Sequence, residues 1–163
     1  MSAIAPLAVA VLSRERFAPF GEVIEPAAAA EVRTVNDGSA QRFHDLARID
    51  PGAGGRTLLS IFRARPRTLP FEVALLERHP RGSQAFVPLD PATRYLVVVA
   101  TAADAPPQAF LAAHGQGVNF APGVWHHPLL ALDRPCDFLV IDRGGDGDNC
   151  DEVQLPRRWR LAL

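Results

Sequence analysis

Residues 77–84 read ERHPRGSQ. On an extended chain, side chains two positions apart lie on the same side, so Glu77 and His79 converge on one spot. Pro80 and Gly82 permit the chain to turn back, and that turn brings Gln84 beside them. Much later comes GVNFAPGVWHH, residues 117–127. There Pro122 and Gly123 build a turn that delivers His126 just ahead of an apolar run. Extended backbone sends His126 and His127 to opposite sides; His126 is read as facing a cavity and His127 as facing away or onto a neighbouring loop. Carboxylate and imidazole gathered in one place are the material of proton transfer.

Composition narrows the partners of such a site. The formal net charge is −1, and acidic and basic residues are scattered, so no basic face is offered to nucleic acid and no acidic tail exists. The partner expected is therefore a small molecule. All 17 basic residues are arginine. A lysine Schiff base, a pyridoxal phosphate linkage and a P-loop lysine are thereby excluded. No apolar stretch reaches the roughly 18 residues of a membrane span, and the N-terminal apolar run lacks the basic flank of a signal peptide. Cys136 and Cys150 are too few and too distant for a disulfide framework, so both are read as free thiols of a cytoplasmic protein.

The elements that must position these side chains are short. Pro and Gly punctuate runs rich in Val, Ile, Leu and Phe, the pattern of an all-β sandwich or barrel. Strands are expected over 7–12, 22–24, 42–46, 57–65, 71–78, 84–88, 94–101, 109–113, 129–132 and 136–142, with one short N-terminal helix over 13–20 capped by Ser13. Asn36-Asp37-Gly38 is read as a hairpin turn. The length suits a single domain spanning residues 1–163. Trp125 is read as a packing residue and His114 as a surface residue. Gly144-Gly145 and the Asx residues that follow, Asp148 and Asn149 among them, suit a tight turn.

The spacing of the four residues resembles the two motifs of the cupin superfamily, in which a His-x-His hairpin followed by Glu and a later Pro/Gly turn followed by His direct four ligands into a small barrel. Glu77 stands at the position of the first His, His79 at the second, Gln84 at the Glu and His126 at the last His. The resemblance implies a cupin-like β-barrel, a double-stranded β-helix, and makes Glu77, His79, Gln84 and His126 the metal ligands if a metal is held. Amide oxygen is the weakest donor of that set.

A second resemblance covers nearly the whole chain. RFHDL (42–46), ERHPRGSQAFVPL (77–89), QGVNFAPGVWHHPL (116–129) and IDRGGDGDNCDEV (141–153) together are similar to blocks of the ureidoglycolate lyase family of allantoin catabolism. That resemblance implies a homodimer that splits ureidoglycolate into glyoxylate and urea, with a divalent metal, nickel among those used in the family. The substrate carries a hydroxyl and a urea nitrogen on one carbon beside a carboxylate. Its cleavage calls for a base, an acid and a cation. Glu77 or His126 is available as the base and His79 as the acid. Arg63 is expected either to pair bidentately with the carboxylate or, equally, to cap the barrel rim by a salt bridge, and Gln84 and Asn119 are expected to hydrogen-bond the ureido group. His44 lies in one of the matching blocks and is kept as a supporting residue. Two other readings stay open: a non-catalytic cupin that binds a small carboxylate, and an amidohydrolase that releases ammonia in place of urea.

Overall fold

The computed structural model describes residues 4–163. Its strands run β1 (Ala5–Leu7), β2 (Val9–Val11), β3 (Gly21–Ile24), β4 (Glu31–Val35), β5 (Ala40–His44), β6 (Arg56–Ala64), β7 (Phe71–Arg78) and β8 (Gln84–Pro88). They continue as β9 (Tyr95–Ala100), β10 (Gln108–Ala112), β11 (Gly117–Phe120), β12 (Trp125–His126), β13 (Leu130–Ala131), β14 (Cys136–Gly144) and β15 (Asp151–Leu161). The helix α1 covers only Arg14–Phe17, with the Ser13 side chain accepting from the Arg16 amide. The expected helix is thus real but shorter, because Pro19 follows at once and cannot extend it.

One sheet takes the order β1-β15-β7-β12-β9-β10-β2, with β13 also on β9; a second takes the order β3-β11-β8-β14-β6. Only Ala8 separates β1 from β2, yet these strands occupy opposite edges of the first sheet. The sheet therefore has to curl until its edges meet. Its central strand β9 is buried along its whole length. Tyr95, Val97 and Val99 join an aromatic core shared with the second sheet, while Leu96, Val98 and Ala100 join a second cluster with Leu7, Val73, Leu76 and Leu161. Over the described residues the protein is all-β with one α-helical turn and two short 3-10 turns, a curled sheet consistent with the cupin-like barrel expected from its sequence.

The shared core is held by ring contacts. Phe138, with no exposed surface, meets Tyr95 edge-on at 5.0 Å and Phe86 at 6.4 Å. Replacing Phe138 with Ala is expected to cost about 3–5 kcal/mol, read as a lower midpoint in urea unfolding with an unchanged slope.

Three elements differ from expectation. β4 lies outside the expected strands; it pairs with β5 across the expected Asn36-Asp37-Gly38 hairpin turn, all three residues of which have positive φ. β12 is a strand although Pro122 and Gly123 stand just before it, and Pro128 breaks it from β13, so that both lie end to end along β9. β15 lies wholly outside the expected strands. Its register on β7 slips between Gln154 and Trp159 around Pro156, which destroys the simple alternation that would have revealed it.

Candidate active site

Three residues from one wall form the centre. In β7, Glu77 is opposite His126 of β12 in the ladder, and His79 follows two positions later. Glu77 Oε1 lies 3.4 Å from His126 Nε2 and 3.9 Å from His79 Nε2. One donor atom from each residue falls within 4.8 Å of the others. His126 is 2% exposed and stacks on Phe120 at 4.2 Å with the rings nearly parallel.

The backbone fixes which nitrogen of each imidazole faces inward. His126 Nδ1 bonds the Val124 carbonyl at 2.9 Å and His79 Nδ1 bonds the Asn149 carbonyl at 2.7 Å. A carbonyl only accepts, so both Nδ1 atoms carry the hydrogen and the two Nε2 atoms are turned toward Glu77. Both Nε2 atoms are buried without a partner. Two imidazole lone pairs thus meet a carboxylate, and such a set is stable only with a proton or a cation among them. Burial alone would raise the Glu77 carboxyl; the neighbouring His126, followed by His79 and His127, outweighs it and holds the group below its ordinary value.

Turn chemistry delivers these side chains. Gly123, at φ +79°, occupies the left-handed region, and its amide donates to the His79 carbonyl at 2.9 Å. The two separated sequence segments are therefore tied at the site itself. Ahead of Gln84, the buried Ser83 exchanges backbone and side-chain bonds with Asp50. From the far end of the chain, Asn149 Oδ1 accepts from the Arg81 amide at 2.7 Å, and the Asp148 carbonyl accepts from Arg81 Nε at 2.9 Å.

A cavity of about 860 Å³ opens over this centre, lined by Glu77, His79 and Gln84 on its floor and by Phe62, Arg65, Arg67 and Leu129 around them. Gln84 joins because its strand alternates Gln84, Phe86 and Pro88 toward the barrel interior. Asn119 is not brought to the cavity. It sits beside Ala85, one position out of phase with Phe120 and Gln84, and its amide donates instead to Glu22 and to the Arg48 carbonyl. Arg63 borders the cavity, but its guanidinium binds both oxygens of Asp137 at 2.8 and 2.9 Å and its side chain is 79% exposed. Strand period explains both: Phe62 and Ala64 occupy the inward positions of β6, and Arg63 the outward one. His127 packs edge-on against Phe71 and bonds the Pro128 carbonyl. Burial lowers its imidazole below the ordinary value. Trp125 packs on the second apolar cluster under the Arg78 guanidinium.

Sequence reasoning missed Phe120, the stacking platform, and Asn149, the carbonyl that orients His79. Arg65 and Arg67 are exposed and line the mouth of the cavity. Neither forms a side-chain hydrogen bond or ion pair among the described residues, so both guanidinium groups remain available to a ligand in the cavity. No helix among those residues is long and apolar enough to cross a membrane.

Comparison with known proteins gives the same reading across the chain. A "Ureidoglycolate lyase" of Burkholderia cepacia is 54% identical over all of this chain and 94% of its own length. One from Burkholderia mallei (strain NCTC 10229) is 55% identical over 96% of this chain and 93% of its own. Another from Brucella ovis is 49% identical over 91% of this chain and 89% of its own. The sequence model of the family described as Ureidoglycolate lyase matches residues 4–162, and the chain belongs to that family.

Proposed function

We propose that this chain, acting as one domain over residues 1–163, cleaves (S)-ureidoglycolate to glyoxylate and urea. The observation that carries this reading is the convergence of Glu77, His79 and His126 within 4.8 Å of one another, with Glu77 and His79 lining a cavity rimmed by arginine and His126 buried behind Glu77. Family membership supports the substrate.

The substrate carbon bears a hydroxyl and a urea nitrogen. Loss of the hydroxyl proton turns the C–O bond into a carbonyl as the C–N bond breaks, and the departing nitrogen takes up a proton to leave as urea. Glu77, held ionised, takes the hydroxyl proton. That proton passes from Glu77 to His79 Nε2, 3.9 Å away, and from there to the departing nitrogen, so both side chains end as they began. His126 holds the Glu77 carboxylate in place, and positioned groups of this kind are worth roughly 10²–10⁴-fold in rate. Glu77, His79 and His126 also fit a divalent metal, such as the nickel implied by the resemblance, because they offer two imidazole nitrogens buried without a hydrogen-bond partner beside a carboxylate. When bound, a metal supplies a Lewis acid for substrate oxygen. Gln84 is assigned to the substrate, its amide oxygen being the poorest donor of the set.

The cation that holds the substrate carboxylate is Arg67 or Arg65, since Arg63 is engaged by Asp137. Arg67→Ala is expected to raise KM by roughly tenfold or more, the loss of a charge-assisted bond of about 1.5–3 kcal/mol, with kcat little changed. Arg63→Ala is expected to leave KM within about twofold, because its guanidinium is engaged by Asp137 on the exposed face. Steady-state urea release at low substrate checks both.

The protein is further proposed to be a cytoplasmic homodimer. Cys136 and Cys150 are unpaired. Edge strand β6 carries Leu59 and Ile61 at 69% and 54% exposure, an apolar strip beside an unpaired strand edge. A two-fold copy would cover it. Light scattering should give twice the chain mass, falling to one chain mass in Ile61→Lys. Product analysis tests the reaction: urea with glyoxylate supports the lyase, ammonia would indicate an amidohydrolase, and binding without turnover a non-catalytic cupin.

A further inference from the structure

Asp142 stands outside the residues assigned so far. In β14 the positions Phe138 and Val140 face the core and pair with Pro88 and Phe86 of β8. The same alternation turns Asp142 inward, directly across from Gln84. The register places the two side chains on one face at the distance of a cross-strand pair. The Gln84 amide nitrogen donates to Asp142 Oδ2 at 3.4 Å. The Gln84 amide oxygen and Asp142 Oδ1 are both buried without a partner. Asp142 makes no ion pair among the described residues, so Gln84 is the group that satisfies its carboxylate.

An ionised carboxylate only accepts hydrogen bonds. Asp142 therefore dictates which end of the Gln84 amide faces it, and that end is the NH₂. Gln84 itself is 7% exposed, held between Phe120 on one side and Asp142 on the other, and reversing its amide would set the carbonyl oxygen against the carboxylate. Its carbonyl oxygen is left as an acceptor with nothing to accept from. Gln84 lines the cavity, and a lining residue with an unmet acceptor favours a ligand end that donates, such as the terminal NH₂ of a ureido group.

We propose that Asp142 is a positioning residue for substrate specificity: by fixing the Gln84 amide, it makes the cavity select a carbamoyl NH₂ over an end of the same shape that cannot donate. This deepens the lyase reading and rests on it for the choice of ligand.

Two unreactive probes separate the possibilities. N-carbamoylglycine is the substrate without its hydroxyl, and N-acetylglycine replaces its terminal NH₂ with a methyl group. Calorimetric titration of the wild-type protein is expected to favour N-carbamoylglycine by about tenfold or more, because a site built to bond an N–H leaves a buried group unpaired when the ligand lacks it. Asp142→Leu, close to Asp in shape, is expected to bring that ratio below about threefold while leaving N-acetylglycine affinity unchanged. Asp142→Asn, which still offers an oxygen to the Gln84 NH₂, is expected to restore the preference. Gln84→Ala should match Asp142→Leu, and the double variant should lose nothing more.

An intact preference in Asp142→Leu or in Gln84→Ala overturns the proposal. So does an equal fall in affinity for both probes, the mark of a merely structural residue, or a wild-type protein with no preference. If Asp142→Leu does not fold, the Gln84→Ala and Asp142→Asn measurements still decide. Urea release from ureidoglycolate, assayed on the same wild-type sample, distinguishes the two failures. Preference without urea release sinks the lyase reading alone, and urea release without preference sinks the Asp142 assignment alone.

Discussion

Replacing His126 with alanine is expected to lower kcat/KM for urea release by roughly 10²–10⁴-fold. The ring is 2% exposed, stacked on Phe120, and turned by the Val124 carbonyl so that Nε2 meets Glu77. Alanine removes the nitrogen and leaves a void beside Phe120, so part of the loss would be packing. His126→Phe separates the two effects. Phenylalanine fills the ring's place against Phe120 but offers no nitrogen. It should unfold close to the wild-type temperature and still lose most of the activity. If His126→Phe retained activity within about tenfold of wild type, the imidazole would have no part in the chemistry. Metal content should be measured on each sample, since activity that tracks metal content would place the effect in the donor set.

Glu77→Gln is expected to cut kcat by roughly 10²-fold or more with KM little changed, because a neutral amide of the same shape cannot take up the hydroxyl proton. The substitution also has a signature in acid. Burial opposes ionisation of Glu77, but His126 and His79 prevail and the folded carboxyl lies below its ordinary value of 4.5. A carboxyl depressed in the fold contributes stability that is fully present above the unfolded value and is lost as pH falls through the folded one. Wild-type stability should therefore decline below about 4.5, and the decline should be shallower in Glu77→Gln. Urea unfolding at a series of pH values from neutral down to about 3 measures this directly. Parallel curves for the two proteins would show that Glu77 is not held ionised by its neighbours.

The sequence was most informative where strand period and turn residues agreed. Glu77, His79, Gln84 and His126 were legible because the i, i+2 rule, a Pro-Gly turn and a second Pro-Gly turn each act over a few residues. Arg63 and Asn119 had suitable chemistry but the wrong phase. Their strands turn Phe62, Ala64 and Phe120 inward, and a slip of one position exchanges cavity for exterior. Asn149 was read as a turn residue, which it is. Its bond to His79 uses a backbone carbonyl, and every residue type has one, so no side-chain pattern announces it. β15 stayed hidden because the slip at Pro156 breaks its alternation and because its arginines give it the composition of a loop. Phe120 had every mark of a core residue; only the fold shows that the His126 ring lies flat upon it.

The bond between His79 and Asn149 joins residues 70 positions apart. Arg81 is latched to the same loop by two further bonds. Closing so long a segment costs chain entropy before any contact repays it, and contacts of this separation form late when topology governs folding. A nascent chain can pair β7 with neither β12 nor β15 until those strands have left the ribosome. Until residue 149 is available, His79 has no carbonyl to fix its ring. Catalytic competence is in this sense a checkpoint on nearly completed synthesis: a fragment ending before Asn149 holds every proton-transfer side chain and still lacks the carbonyl that orients His79.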